Sequence, residues 1–398
     1  MLIMDAPPGT QAATLDVDAA FRRVPIDPLQ QNAFVVMWDE KYFIDCCAPF
    51  GAASSPGVFG HIADALVALY KAGGWTAVKK WVDDFLFFRY PHNTGGSSLS
   101  YSQSLNDIYS LTEPLGWPWK SSKTRPFANT FLYLGFLWNI SERTVELPEN
   151  KSSKFIEKLA TWLPGHKASC KEAESLLGTL VHCSLAMPDS RSRLPSFSRF
   201  ASSFQKLKSH FIKLSIPSDT LEDTEWWRSI LFQRKCCSKL QRPPPICNIT
   251  LAVDASTSFG IHVLLDEFWE SWELATGWST DGRNIGWAKM MAVELGLRCL
   301  VHRGFKNCHF RLLSDNMGVI HCLDGGCSRS VQQNRVLQRI VSLLRMNDLW
   351  ITPEYVESSH NLADRPSRGL PCLIGKKLPP SLSPPLSYPL SSYLSRAV

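Results

Sequence analysis

Two adjacent carboxylates inside an apolar run constrain this chain more than any other feature of it. The stretch is Lys80-Trp81-Val82-Asp83-Asp84-Phe85-Leu86-Phe87-Phe88, with no Gly, Asn or Pro at its middle. Read as strand, tight turn and strand, it buries the apolar residues and projects both Asp side chains at the tip. Neighbouring carboxylates repel, and apolar surroundings make their ionisation costlier still. A divalent cation relieves both penalties. An exposed Asp-Asp turn in an ordinary hairpin is the alternative that this stretch alone leaves open.

The residues before it supply a context. Thr14-Leu15-Asp16-Val17-Asp18-Ala19-Ala20-Phe21 begins as a strand and turns helical, and a break follows at Val24-Pro25-Ile26-Asp27-Pro28. Phe34 to Trp38 and Lys41 to Cys46 form a hairpin turning at Asp39-Glu40. The small-residue loop Pro49 to Gly57 leads into a helix from about Val58 to Ala72, which Gly73-Gly74 ends. His92 to Ser104 is a Gly/Ser-rich, polar insertion expected to be flexible. Phe131-Leu132-Tyr133-Leu134-Gly135-Phe136 reads as another strand.

Beyond Pro148 the period becomes helical, with Phe155, Ile156, Leu159 and Trp162, then Leu176, Leu177 and Leu180, on one face. Charge matters here. Between Lys151 and Arg242 there are 16 Lys and Arg against 8 Asp and Glu, whereas the whole chain of 398 residues carries only +6. The flanks are therefore slightly acidic, and this middle segment is the place to meet phosphates. After the linker Pro243-Pro244-Pro245 come three short strands, at Ile249 to Asp254, Ile261 to Leu265 and Trp272 to Leu274. Helix (Ile285 to Arg303), strand (Phe310 to Asp315), helix (Val331 to Met346) and strand (Leu349 to Val356) then alternate, which indicates an α/β layer domain. From Leu370 onward Pro, Ser and Leu dominate, and a disordered tail is expected.

Twelve irregularly spaced cysteines, two pairs of them adjacent, describe no disulfide framework. They read as reduced thiols of an intracellular protein, in cytoplasm or nucleus. No basic, apolar leader opens the chain, and no uncharged run nears the roughly 18–20 residues a membrane span needs.

Two groups of carboxylates emerge. Asp16, Asp83 and Asp84 each end an apolar strand, so adjacent strands can gather them at one sheet edge. Such a group can hold two Mg²⁺ ions, which prefer hard oxygen ligands and stabilise both oxygens of an in-line phosphoryl transfer. Asp254, Glu294, Asp315 and Asp364 are the second group, three at strand ends or just beyond and Glu294 on the intervening helix.

In order, Leu15-Asp16-Val17 through Phe21, Pro49-Phe50-Gly51 with Ser55-Pro56, Trp81-Val82-Asp83-Asp84, Leu115-Gly116-Trp117 with Lys123, and Phe131 to Phe136 resemble successive motifs of a reverse transcriptase palm. Trp81 stands where Tyr is more usual. The resemblance implies that Asp16, Asp83 and Asp84 bind Mg²⁺ (or Mn²⁺) and catalyse nucleotidyl transfer, and that Phe21 is a steric gate against a ribose 2′-OH. It implies that Pro49, Phe50, Gly51 and Lys123 lie against template and nucleotide, and that the strand around Leu134 and Gly135 grips the primer. Asp254-Ala255-Ser256, Ala292-Val293-Glu294, Ser314-Asp315-Asn316 and Asn361-Leu362-Ala363-Asp364-Arg365-Pro366-Ser367-Arg368 resemble a retroelement RNase H domain of gypsy-like or DIRS-like type. That resemblance implies that Asp254, Glu294, Asp315 and Asp364 hold two metals and catalyse hydrolysis of RNA in an RNA–DNA hybrid, with His360 either assisting or lying on a surface loop.

The fold class implied is α+β and α/β. It comprises a palm of antiparallel sheet with helices (1–147), a basic helical thumb and connection (148–245), an RNase H-like mixed α/β domain (246–370) and a Pro/Ser-rich tail (371–398). The partners implied are an RNA–DNA hybrid, a template-primer and dNTP, with no membrane; the oligomeric state stays unknown. Relatives of this kind carry a fingers subdomain ahead of the first motif, so the chain reads as lacking most of it. It is then a polyprotein fragment, a truncated gene model, a decayed copy or a domesticated gene, and the alternative to an enzyme is a catalytically inactive, domesticated or truncated remnant that only binds nucleic acid.

Overall fold

A computed structural model describes residues 2–92, 99–207, 212–233, 236–387 and 389–397. Two units make up the chain: Met1–Lys151 with Cys237–Gln241, and Ser152–Cys236 with Arg242–Val398. Residues 93–98 of the Gly/Ser-rich insertion expected from His92 to Ser104 lie outside the described residues.

The first unit contains β1 (Gln11–Asp16), β2 (Val35–Trp38), β3 (Lys41–Ile44), α1 (Ser55–Ala72), β4 (Val78–Trp81), β5 (Asp84–Arg89), α2 (Leu105–Thr112), β6 (Arg125–Ala128), β7 (Thr130–Tyr133), β8 (Phe136–Asn139) and β9 (Thr144–Glu146). Its main sheet has the order β4-β5-β1-β6 and is antiparallel throughout. The unbroken apolar run of β5 follows from cover on both faces. Phe85 and Phe87 pack with Phe59, Leu66 and Tyr70 of α1, while Leu86 and Phe88 point the other way, toward Phe131 and Ile140. Asp39 and Glu40 both have positive φ, as a two-residue type I′ hairpin turn between β2 and β3 requires. The same geometry corrects one expectation. Leu134 (φ 51°) and Gly135 (φ 80°) form a hairpin turn between β7 and β8, not the middle of a strand.

The second unit begins with helices α3 (Glu149–Ala160), whose first residues belong to the first unit, and α4 (Cys170–Ala186). β10 (Lys167–Ser169) pairs with β11 (Lys213–Ser215), and α5 (Pro195–Ser203) and α6 (Ser218–Phe232) complete the helical part. β12 (Cys237–Lys239) belongs to the first unit, where it pairs with β9. The remainder is β13 (Ile246–Ala255), β14 (Gly260–Leu265), β15 (Phe268–Leu274), α7 (Ile285–His302), β16 (His309–Ser314), α8 (Met317–Gly325), α9 (Val331–Met346), β17 (Trp350–Tyr355), α10 (Asp364–Ser367), β18 (Lys376–Lys377) and β19 (Leu394–Arg396).

These strands form one mixed sheet, ordered β17-β16-β13-β14-β15-β18 with β19 also on β15. β13, β14 and β15 are a meander, and β16 and β17 add in parallel through helical crossovers. α7 is buried along almost its whole length. The sequence reading lacked α8, which Asn316 starts by accepting from the backbone N–H of Val319.

The expected disordered tail is not what the structure holds. β18 and β19 both hydrogen-bond to β15, and Leu378, Leu390 and Leu394 are buried in the core of this unit. A Pro- and Ser-rich composition suggested disorder, but a few well-spaced leucines and an edge strand needing a partner are enough to order it. No described helix is long and apolar enough to cross a membrane.

Candidate functional site

In the first unit the antiparallel register sets Asp16, the last residue of β1, opposite Asp84, the first of β5. Asp83 sits beside them in the two-residue turn joining β4 to β5, and its carbonyl accepts from the backbone N–H of Val17 at 3.1 Å. Val82, the first turn residue, has φ 54°. A β-branched residue is strained there, and such strain persists only where surrounding packing fixes it. Asp16 is nearly buried and its Oδ2 lies 2.8 Å from Lys123 Nζ. Burial, then the charges of Asp83 and Asp16, push the Asp84 carboxyl above its ordinary range, against the opposing pull of Lys123. Lys123 is held above its own, chiefly by its hydrogen bond to Asp16.

Other expected residues surround this cluster. Phe21 packs on Phe50 and Phe59, with ring centroids at 5.3 and 6.0 Å. Phe50 is otherwise exposed, and the Pro49 carbonyl accepts from Ser55 Oγ at 2.8 Å, which anchors the loop to the start of α1. Gly51 has φ 92°, a conformation that favours glycine. Leu134 and Gly135 lie at the β7–β8 turn described above.

In the second unit Asp254, near the end of β13, Asp315, just past β16, and Asp364, opening α10, converge. One oxygen from each lies within 4.8 Å of the others, the one group of three so close among the described residues. The first-unit carboxylates are more spread, with Asp16 engaged by Lys123. The Asn-x-Ala-Asp pattern has a structural role. Asn361 donates to the Val253 carbonyl and accepts from the Ala363 N–H, tying α10 to β13 beside Asp254.

Glu294 is not part of this group. It is wholly buried, and Arg298 and Arg339 hold both its oxygens through bonds of 2.8–3.0 Å. Five residues along a helix turn the side chain by about 140°. The α7 residue that faces the aspartates is therefore Lys289, whose Nζ lies 2.7 Å from Asp254 Oδ1 and 2.5 Å from Asp315 Oδ1. Its approach to Asp254 is off the hydrogen-bonding direction, so that contact is an ion pair rather than a linear hydrogen bond. Burial works against the Lys289 ammonium, yet the two carboxylates outweigh it and its pKa is raised. Burial dominates at Asp254, which is raised; at Asp315 it is outweighed by Lys289 and Ser358, and the carboxyl is lowered.

Lys289 went unremarked in the sequence, though a signal existed. It is the lone charge in Trp287-Ala288-Lys289-Met290-Met291-Ala292-Val293, and a charge in an apolar helix needs a buried partner. His360 lies on the surface, 3.7 Å from Glu357.

The two clusters differ in their fitness for divalent metal. The first offers three hard oxygen donors of the kind Mg²⁺ takes, with like charges pressing on Asp84 and Lys123 paired with Asp16 alone. The second brings three such donors within 4.8 Å of one another, but an ammonium already lies between two of them and opposes a cation there.

No family model matches the chain, and no curated protein matches it. Among solved structures it is similar to a foamy viral protease-reverse transcriptase in complex with RNA/DNA hybrid, at 15% identity and TM-score 0.46, over 95% of this chain and 47% of that one. It is also similar to the same kind of protein in complexes with double-stranded DNA, at 14% and 17% identity and TM-scores 0.42 and 0.43. Those two likenesses cover 89% of this chain in both cases, and 58% and 69% of the others. The chain thus spans about half the length of the first of these.

Proposed function

We propose that the chain is a reverse-transcriptase-like nucleotidyltransferase whose working centre is Asp16, Asp83 and Asp84. The β1–β5 register carries this reading, because it sets two carboxylates opposite each other with a third in the adjoining turn. Divalent metal bound by these three residues would stabilise the attacking and leaving oxygens of phosphoryl transfer from dNTP to a primer terminus. Lys123 holds the Asp16 carboxylate in place, and Phe21, packed on Phe50 and Phe59, forms an aromatic wall next to β1. The basic segment Lys151 to Arg242 supplies phosphate contacts for a template-primer or an RNA–DNA hybrid.

The second unit enters this reading as an RNase H-like module that holds nucleic acid. Hydrolysis of the RNA strand is not assigned to it, since Lys289 occupies the cluster that would bind the metals.

The test is primer extension by the purified chain with Mg²⁺ or Mn²⁺, dNTP and a labelled primer on RNA. Extension that vanishes in Asp83→Asn is the expected result; extension unchanged in that variant overturns the assignment.

A further inference from the structure

We infer that Lys289 takes the place of a divalent cation in the second unit, making Asp254, Asp315 and Asp364 a closed ion-pair cluster rather than a metal site. The inference is independent of the polymerase reading, which concerns other residues in the other unit.

Five of the six carboxylate oxygens accept a hydrogen bond from the chain itself, and the sixth, Asp254 Oδ1, is met by the Lys289 ammonium as an ion pair. Lys289 Nζ serves Asp254 Oδ1 and Asp315 Oδ1. Ser367 Oγ donates to Asp254 Oδ2 at 2.7 Å, and Ser358 Oγ to Asp315 Oδ2 at 2.6 Å. Arg368 spans both oxygens of Asp364, at 2.9 and 3.2 Å. Three negative charges therefore meet two positive ones, Lys289 and Arg368. A divalent ion entering here would have to displace a largely buried ammonium whose own charge repels it. Ligand charge count sets the affinity of an oxygen site for such ions, and here the count is nearly cancelled.

The cluster keeps a structural duty without metal. Lys289 links α7 to β13 and to the end of β16, and Ser367 links α10 to β13. The domain can hold its shape with no ion bound.

The experiment uses the full chain carrying Asp83→Asn and Asp84→Asn, which removes two of the three first-unit carboxylates as competing binders, and titrates Mn²⁺ by calorimetry. This parent is expected to show no saturable Mn²⁺ site that depends on Asp315. Adding Lys289→Glu reverses the local charge and is expected to tighten Mn²⁺ binding by at least about tenfold, with a cation-dependent rise in Tm. Adding Asp315→Asn should abolish both gains. Lys289→Met, which removes the ammonium without adding a carboxylate, is the second variant should the glutamate fail to fold, with a smaller gain in the same direction. Saturable Mn²⁺ binding by the parent that disappears with Asp315→Asn overturns the inference. So does a folded Lys289→Glu protein with no gain.

Discussion

Glu294→Gln separates a structural carboxylate from a metal-binding one. The wild-type side chain is fully buried and accepts from both nitrogens that Arg298 and Arg339 each direct at it. The amide keeps the shape but removes the charge, and it turns an NH₂ group toward one of two guanidinium ions. Losing one partner of a buried pair costs about 3–5 kcal/mol when the other is left without solvent. Both arginines keep roughly a quarter of their side-chain surface in water, so about 2–4 kcal/mol is the fitting range. For a unit of this size that is a fall in Tm of roughly 5–15 °C. Calorimetric unfolding of wild type and variant reads it directly, alongside a Mn²⁺ titration. A variant that melts with the wild type but changes its Mn²⁺ binding would refute the reasoning and return Glu294 to the metal-ligand role its sequence context suggested.

Two further outcomes follow from the second unit. His262 is buried with Nδ1 on Ser271 Oγ, and burial depresses its pKa from 6.5 to about 4. The unfolded chain therefore binds this proton first as pH falls. Stability is full above about pH 6.5 and declines toward pH 4, with about 2 kcal/mol lost between pH 7.5 and 5. Urea midpoints at the two pH values should show that loss, and His262→Gln should remove about that much of it. Leu394→Ala in β19 should cost about 2–4 kcal/mol in a melt, because the side chain is buried in the main core; a tail that did not pack would leave the melt unchanged.

The first unit was legible because its signals are local. The apolar run of β5 and its two aspartates need no distant information to read as a hairpin tip, and Asp39-Glu40 marked its own turn. The order of elements from Ile246 to Tyr355 was also readable from period and length, apart from α8. Misreadings arose where a tertiary fact decides. Glu294 and Lys289 lie on one helix, and only the packing of α7 against β13 determines which of them faces the aspartates. Leu134-Gly135 read as strand because apolar flanks hid the turn that two positive φ angles reveal. The tail read as disordered because composition averages away Leu378, Leu390 and Leu394, the residues that anchor it.

One assay places the working chemistry in one unit or the other. The purified chain is given Mg²⁺, dNTP and a DNA primer on an RNA template, with both strands labelled. The primer is expected to lengthen while the RNA stays intact, and Asp83→Asn is expected to abolish the extension. RNA cleaved with the primer unchanged, and cleavage lost in Asp315→Asn, would contradict this expectation.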